Sequence, residues 1–214
     1  MNKNKWIAIC VLLLLIGIAS VNPLEMHSYL LHQLGTFVML IGLFYANAKI
    51  KISTLAFNLY CAFLAVHVLA AHYLYSYVPY QLWTETLFKV NIDEVFGWQR
   101  NMFDRLVHFS YGLLLFPFFY QVFEAWLKPL QHYKKTVLVC MMWVMASSML
   151  YELLEWWIAI GMSAEEAEKY NGQQGDMWDA HKDMLFAVIG SIVAWLVFPQ
   201  KMLKAKEYKC TSLV

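Results

Sequence analysis

The sequence predicts an all-α, polytopic membrane protein with about six transmembrane helices and both termini in the cytoplasm. Composition is the first reason, because the 214 residues are 61% hydrophobic and only 14% charged, whereas a soluble domain carries about 25% charged residues. So apolar a chain needs lipid as the solvent for much of its surface. The second reason is a series of six apolar stretches, each near the length of about 20 residues that a helix needs to cross a bilayer. The distribution of lysine and arginine is the third.

The six apolar stretches follow one another along the chain. We expect spans at residues 6–21, 29–46, 52–75, 104–127, 136–161 and 183–198. The first is short, and with Lys3 and Lys5 before it the segment also fits a cleaved signal peptide; we favour an uncleaved anchor. Because no repeat or linker divides the chain, we interpret residues 1–214 as a single integral membrane domain.

Lysine placement predicts the orientation. If the N-terminus is inside, eleven of the 16 lysines and arginines fall in cytoplasmic segments. These eleven are Lys3, Lys5, Lys49, Lys51, Lys128, Lys134, Lys135, Lys201, Lys204, Lys206 and Lys209. Since positive residues concentrate in cytoplasmic segments, residues 76–103 and 162–182 are predicted to be outward-facing loops. The first loop is rich in aromatic residues, and we expect residues 80–90 to lie along the membrane surface.

Ionisable residues gather at the outer ends of the predicted spans. At about 1.5 Å of rise per residue, four spans deliver such groups to the outer third of the membrane. They are His67, Asp104 with His108, Glu152 with Glu155, and the series Asp176, Asp179 and Asp183. Ionisable groups at membrane depth are costly and normally face a bundle interior or a cavity, so their concentration indicates a functional site.

Oxygen and nitrogen donors at these spacings favour a metal site. Asp104 and His108 are four residues apart and share a helix face, and Glu152 and Glu155 do so three residues apart. Such donors suit zinc, magnesium or manganese, and a further carboxylate can act as a general base. We therefore predict these metal ligands: Asp104, His108, Glu152, Asp176 and Asp183. The predicted catalytic carboxylates are Glu155 and Asp179. The alternative is that these groups only hydrogen-bond between helices, and His67 is interpreted as a packing histidine.

Three motifs resemble a known family. They are residues 103–109 (Phe-Asp-Arg-Leu-Val-His-Phe), residues 151–157 (Tyr-Glu-Leu-Leu-Glu-Trp-Trp) and residues 172–179 (Gly-Gln-Gln-Gly-Asp-Met-Trp-Asp), followed by Asp183-Met184. In this order they resemble the YjdF-type family of small bacterial inner-membrane proteins. The resemblance implies a multi-helix fold in the bacterial inner membrane. It implies no particular activity, because the family is a domain of unknown function.

Three functions remain open from the sequence. The first is an outward-facing, metal-dependent hydrolase or transferase that acts on a lipid or envelope precursor, since the predicted ligands lie at the depth of lipid headgroups. The second is a small ion-coupled transporter with His67, Asp104 and Glu152 as a relay, although a carrier should distribute polar groups across the full membrane depth. The third is a non-catalytic scaffold or accessory protein. Nucleic-acid binding is not expected, because the chain has no concentrated basic face.

Overall fold

The computed structural model describes residues 1–127 and 132–203, and within these ranges all regular secondary structure is helical. The six long helices are α1 (Lys3–Ala19), α2 (Met26–Ile50), α3 (Thr54–His72), α6 (Phe103–Trp126), α7 (Tyr133–Ile160) and α9 (Asp179–Val197). The four short helices are α4 (Tyr80–Phe88), α5 (Ile92–Phe96), α8 (Ala164–Asn171) and α10 (Gln200–Leu203).

Within the described ranges, five helices are long and apolar enough to cross a membrane, namely α2, α3, α6, α7 and α9. Each contains most of one predicted span, and the bounds differ by a few residues; α9, for example, begins at Asp179 instead of residue 183. The first predicted span falls in α1, which has 17 residues. Four of the lysines used to predict the orientation, Lys128, Lys204, Lys206 and Lys209, lie outside the described residues.

Local sequence signals explain where several helices begin. The side chain of Glu25 accepts hydrogen bonds from the backbone N–H groups of His27 and Ser28, which caps the start of α2. The bond from Ser28 is the main reason that the pKa of Glu25 lies below its usual value. A reciprocal capping box between Ser163 and Glu166 starts α8.

Helix α6 is the centre of the bundle. It packs against α3 on one side and against α9 and α7 on the other, while α1 and α2 pack on α3. Most of its residues are buried, including Pro117 in its middle. A proline within a spanning helix is tolerated where neighbouring helices surround it. The central position of α6 explains why side chains from several helices converge on its N-terminal end.

The segment before α6 is held in place by Tyr80. Its hydroxyl donates to Asp93 Oδ1 at 2.8 Å and accepts from the backbone N–H of Met102 at 3.0 Å. The side chain of Gln81 donates to the other carboxylate oxygen of Asp93. Burial is the main cause that raises the pKa of Tyr80 to about 12. Tyr80 therefore connects α4, α5 and the start of α6 as a neutral hydrogen-bonding group.

Candidate metal centre

Two glycines allow α6 and α9 to pack backbone against backbone. A Cβ atom added to Gly112 would lie 1.9 Å from the carbonyl oxygen of Ala187, and one added to Gly190 would lie 2.1 Å from that of Phe109. Small residues are typical where membrane helices approach this closely. Gly112 follows His108 by about one helical turn, so this contact brings the first turns of α6 close to those of α9.

Three potential metal ligands meet where these helices converge. One donor atom each from Asp104, His108 and Asp183 lies within 4.8 Å of the other two. All three residues are buried, and Asp183 is only 2% exposed. Asp104 and His108 belong to adjacent turns of α6, whereas Asp183 lies one turn into α9. The set joins two carboxylates with one imidazole, a combination found at zinc and manganese sites.

Glu152 reaches the same place from α7. His108 Nε2 lies 3.6 Å from Glu152 Oε1 and also 3.6 Å from Asp104 Oδ1. Both distances exceed that of an ordinary hydrogen bond. Moreover, Glu152 Oε1 and Asp183 Oδ1 are buried and have no hydrogen-bond partner in the part of the chain that the structure describes. Such orphaned acceptors are costly unless a cation or a donor satisfies them.

The other two predicted aspartates form ion pairs beside this set. Arg105 Nη2 lies 2.6 Å from Asp176 Oδ2 and 3.1 Å from Asp179 Oδ1. Arg100 contacts the same two carboxylates, and Lys182 Nζ lies 2.6 Å from Asp176 Oδ2. The hydrogen bonds from Lys182 and Arg105 hold the pKa of Asp176 well below its usual value. Three cations thus neutralise these two acids and fix the turn before α9 on the start of α6.

Glu155 lies one helical turn beyond Glu152 on α7, where it lines a cavity rather than joining the three converging ligands. Tyr170 of α8 is close to it. Burial, and then the negative charge of Glu155, raise the pKa of Tyr170. The two predicted catalytic carboxylates, Glu155 and Asp179, both line a cavity, but Asp179 is also held by two arginines.

The cavity lies between α7, α9 and the α8–α9 turn and has a volume of about 290 Å³. Its lining includes Glu152, Glu155 and Asp183 together with apolar side chains such as Met149 and Trp156. Pockets that hold small molecules are commonly apolar with a few convergent polar groups. The candidate ligands thus adjoin a space of the right size for a small polar group.

Sequence reasoning missed several residues that shape this region. Spacing along the sequence gives no role to Arg100 or Arg105, nor to Asn171, whose Oδ1 is buried without a partner among the described residues. His67 accepts a hydrogen bond from the Tyr75 hydroxyl through Nδ1 at 2.5 Å, and its Nε2 donates to the carbonyl oxygen of His32 at 3.2 Å. These contacts place His67 in a buried aromatic cluster, and it is not one of the three converging ligands.

Comparisons with known proteins agree with the membrane character of the chain. A family model described as predicted membrane protein (DUF2238) matches residues 4–202. Inner membrane protein YjdF of Escherichia coli (strain K12) is 28% identical over 156 residues, which are 72% of this chain and 70% of that protein. No solved structure matches the chain. The two matches confirm the resemblance to YjdF-type proteins that the sequence motifs indicated.

Proposed function

The chain belongs to the family described as predicted membrane protein (DUF2238), a multi-pass protein of the bacterial inner membrane, and from this premise we propose a metal-dependent membrane enzyme. Asp104, His108 and Asp183 bind one divalent metal ion, zinc, magnesium or manganese. The reaction is the hydrolysis of a lipid or envelope precursor, or the transfer of a group from it.

The proposal includes a sixth membrane crossing and an orientation. Helix α1 packs along α3, in the same bundle as the five longer apolar helices. Its 17 residues span about 25 Å, and Lys3 and Lys5 precede or open its apolar run. Six crossings put both termini on one side, and the lysines favour the cytoplasm as that side. The starts of α6 and α9 and the end of α7 then lie on the outer side. The candidate ligands then lie at the depth of outer-leaflet headgroups.

The observation that carries the proposal is the orphaned carboxylate oxygen of Asp183, one of the three converging ligands. The nearest cation is only partly engaged: Arg105 Nη2 contacts Asp176 and Asp179. Its Nε, which has no hydrogen-bond partner among the described residues, lies 3.9 Å from Asp183 Oδ1, beyond hydrogen-bonding distance. Buried carboxylates without partners cost several kcal/mol unless they are neutralised. A divalent ion between Asp104, His108 and Asp183 supplies the missing positive charge and suits the donor set.

Each residue then has a role that its position supports. A divalent metal lowers the pKa of a bound water and polarises an ester or phosphoryl oxygen. Glu152 lies next to His108, outside the three-ligand set, and Glu155 accepts a proton on the cavity side. Asp176 and Asp179 act as positioning residues, because they fix the α8–α9 turn on Arg100 and Arg105. A purely structural role for the cluster predicts the same ion pairs but no bound metal.

The test is metal binding to the full chain purified in detergent. We expect the parent to bind about one Mn²⁺ or Zn²⁺ per chain, measured by electron paramagnetic resonance for Mn²⁺ and by mass spectrometry for Zn²⁺. Asp183→Asn and His108→Ala should weaken binding by at least about tenfold. Glu165→Gln is the matched control, because its carboxylate is 79% exposed on α8. A correctly folded parent that binds no divalent ion would overturn the proposal in favour of the structural role.

A further inference from the structure

The cavity beside the candidate metal centre presents unpaired hydrogen-bond acceptors. Among its lining residues, three have a buried oxygen without a hydrogen-bond partner in the described ranges: Glu152 Oε1, Asn171 Oδ1 and Asp183 Oδ1. The side chain of Asp183 is 3% exposed. None of the buried nitrogens without a partner belongs to a described residue that lines this cavity. An occupant must therefore donate hydrogen bonds.

The charges along the cavity point to a cation. Asp179 is already paired with Arg100 and Arg105. A divalent ion balances Asp104 and Asp183, so this inference rests on the proposed function at that point. Glu152 and Glu155 remain, and no lysine or arginine of the described residues forms an ion pair with either. The wall of the cavity thus stays acidic even when the metal is bound.

We propose that this cavity binds a primary ammonium group of the substrate. An ammonium carries three N–H donors and one positive charge, which matches the unpaired oxygens of Glu152 and Asn171 and the carboxylate of Glu155 beside them. A quaternary ammonium has no N–H donor and would leave these oxygens unpaired. Among the described residues of the lining, Trp156 and His181 carry the aromatic rings, too few to enclose a quaternary group in an aromatic cage.

Two sources can supply this chemistry, a lipid headgroup and a free amine. The cavity of about 290 Å³ accommodates a headgroup but not acyl chains. Next to it, Trp156 and Trp157 of α7 are each 57% exposed, and Met149 is also exposed. This apolar face can contact acyl chains while an aminoethyl phosphate reaches the cavity and the metal, so the lipid source is the one we expect.

The test compares ligands that differ in the amine. Tryptophan fluorescence of the purified full chain is titrated with the dihexanoyl forms of phosphatidylethanolamine, phosphatidylcholine and phosphatidylglycerol, and with free ethanolamine. We expect phosphatidylethanolamine to bind at least about tenfold more tightly than the other two lipids, because each charge-assisted hydrogen bond is strong. Much weaker binding of ethanolamine identifies a lipid headgroup, whereas equal binding identifies a free amine; either result supports an ammonium site.

Two variants keep the proposal falsifiable if one fails to fold. Asn171→Ala and Glu155→Gln should each reduce the preference for phosphatidylethanolamine over phosphatidylglycerol, and Asn171→Ala should keep the Mn²⁺ affinity of the parent. Glu165→Gln is again the control. Equal affinity for all three lipids, or a preference for phosphatidylglycerol, overturns the ammonium site even when the metal binds. A chain that prefers phosphatidylethanolamine but binds no metal overturns the proposed enzyme and leaves the ammonium site standing.

Discussion

The contact between α6 and α9 provides a sharp test of how the fold builds the candidate centre. Replacing Gly112 by alanine adds one carbon atom, which would lie 1.9 Å from the carbonyl oxygen of Ala187 and 2.8 Å from the backbone nitrogen of Ser191. Both atoms are backbone, so no side chain can rotate away. Relief requires the two helices to move apart.

The size of this movement follows from ordinary contact distances. A carbon atom approaches a carbonyl oxygen to about 3.3 Å, so the deficit at Gly112 is about 1.4 Å. Metal ligands with bonds of about 2.1 Å lie about 3.4 Å from one another, and the three donor atoms already span up to 4.8 Å. A further separation of α6 from α9 therefore takes Asp183 out of reach of an ion held by Asp104 and His108.

The energetic consequence has two opposing parts. Overpacking costs about 1–3 kcal/mol, and the higher helix propensity of alanine returns about 1 kcal/mol. Gly112→Ala should therefore lower the free energy of unfolding by up to about 2 kcal/mol and weaken Mn²⁺ binding by at least about tenfold.

The assay is thermal unfolding in detergent together with Mn²⁺ titration by electron paramagnetic resonance. Gly42→Ala on α2 is the matched control, because a Cβ there has no neighbour within 4 Å. It should retain the parent's melting temperature or raise it, and it should leave the metal affinity unchanged. If Gly112→Ala melts and binds Mn²⁺ like Gly42→Ala, the close helix contact does not hold the centre together and the reasoning fails.

Two further predictions concern the turn before α9. Gly172 has a φ of +63°, and a Cβ atom added there would lie 2.2 Å from Ser76 Oγ. Gly172→Ala should therefore lower the melting temperature, and adding Ser76→Gly should restore part of the loss. If the double variant shows no recovery, the clash with Ser76 is not the cause. The hydrogen bonds from Lys182 and then from Arg105 lower the pKa of Asp176 below its usual value of 3.8. The ionised carboxylate therefore stabilises the fold at pH values above 3.8, and this stabilisation is lost as the pH falls below that value. Melting temperatures between pH 6 and pH 3 should therefore fall less steeply for Asp176→Asn than for the parent, and parallel curves would contradict the ion-pair geometry.

The long helices of this fold could be predicted because, in a bilayer, the hydropathy of a segment determines whether it spans the membrane as a helix. A spanning segment must satisfy its backbone groups internally, so an apolar stretch of sufficient length reads as a helix. Rise per residue then placed Asp104, His108 and Asp183 at a common depth, and the structure brings donor atoms of these three together. The depth of a side chain in the membrane follows from its position along a spanning helix, so it can be read from the sequence.

The partners of each acid could not be predicted in the same way. Asp176 and Asp179 pair with Arg100 and Arg105 across more than 70 positions of sequence, and spacing along the chain says nothing about such contacts. The glycine contact does have a signal in the sequence. Gly190 lies four residues before Ala194 and three after Ala187, a run of small residues on one helix face that is typical of close packing between membrane helices.

Arg105 connects the fold to the chemistry of the site. It follows Asp104 in α6, yet its guanidinium turns towards the α8–α9 turn, where Nη2 contacts Asp176 and Asp179. Only the longer contact of 3.9 Å, from Nε, reaches Asp183. Asp176 and Asp179 therefore bind the guanidinium group that Asp183 would otherwise attract. Asp183 Oδ1 is left without a hydrogen-bond partner among the described residues. Docking of this turn and the availability of the centre for a metal ion are thus coupled through a single guanidinium group.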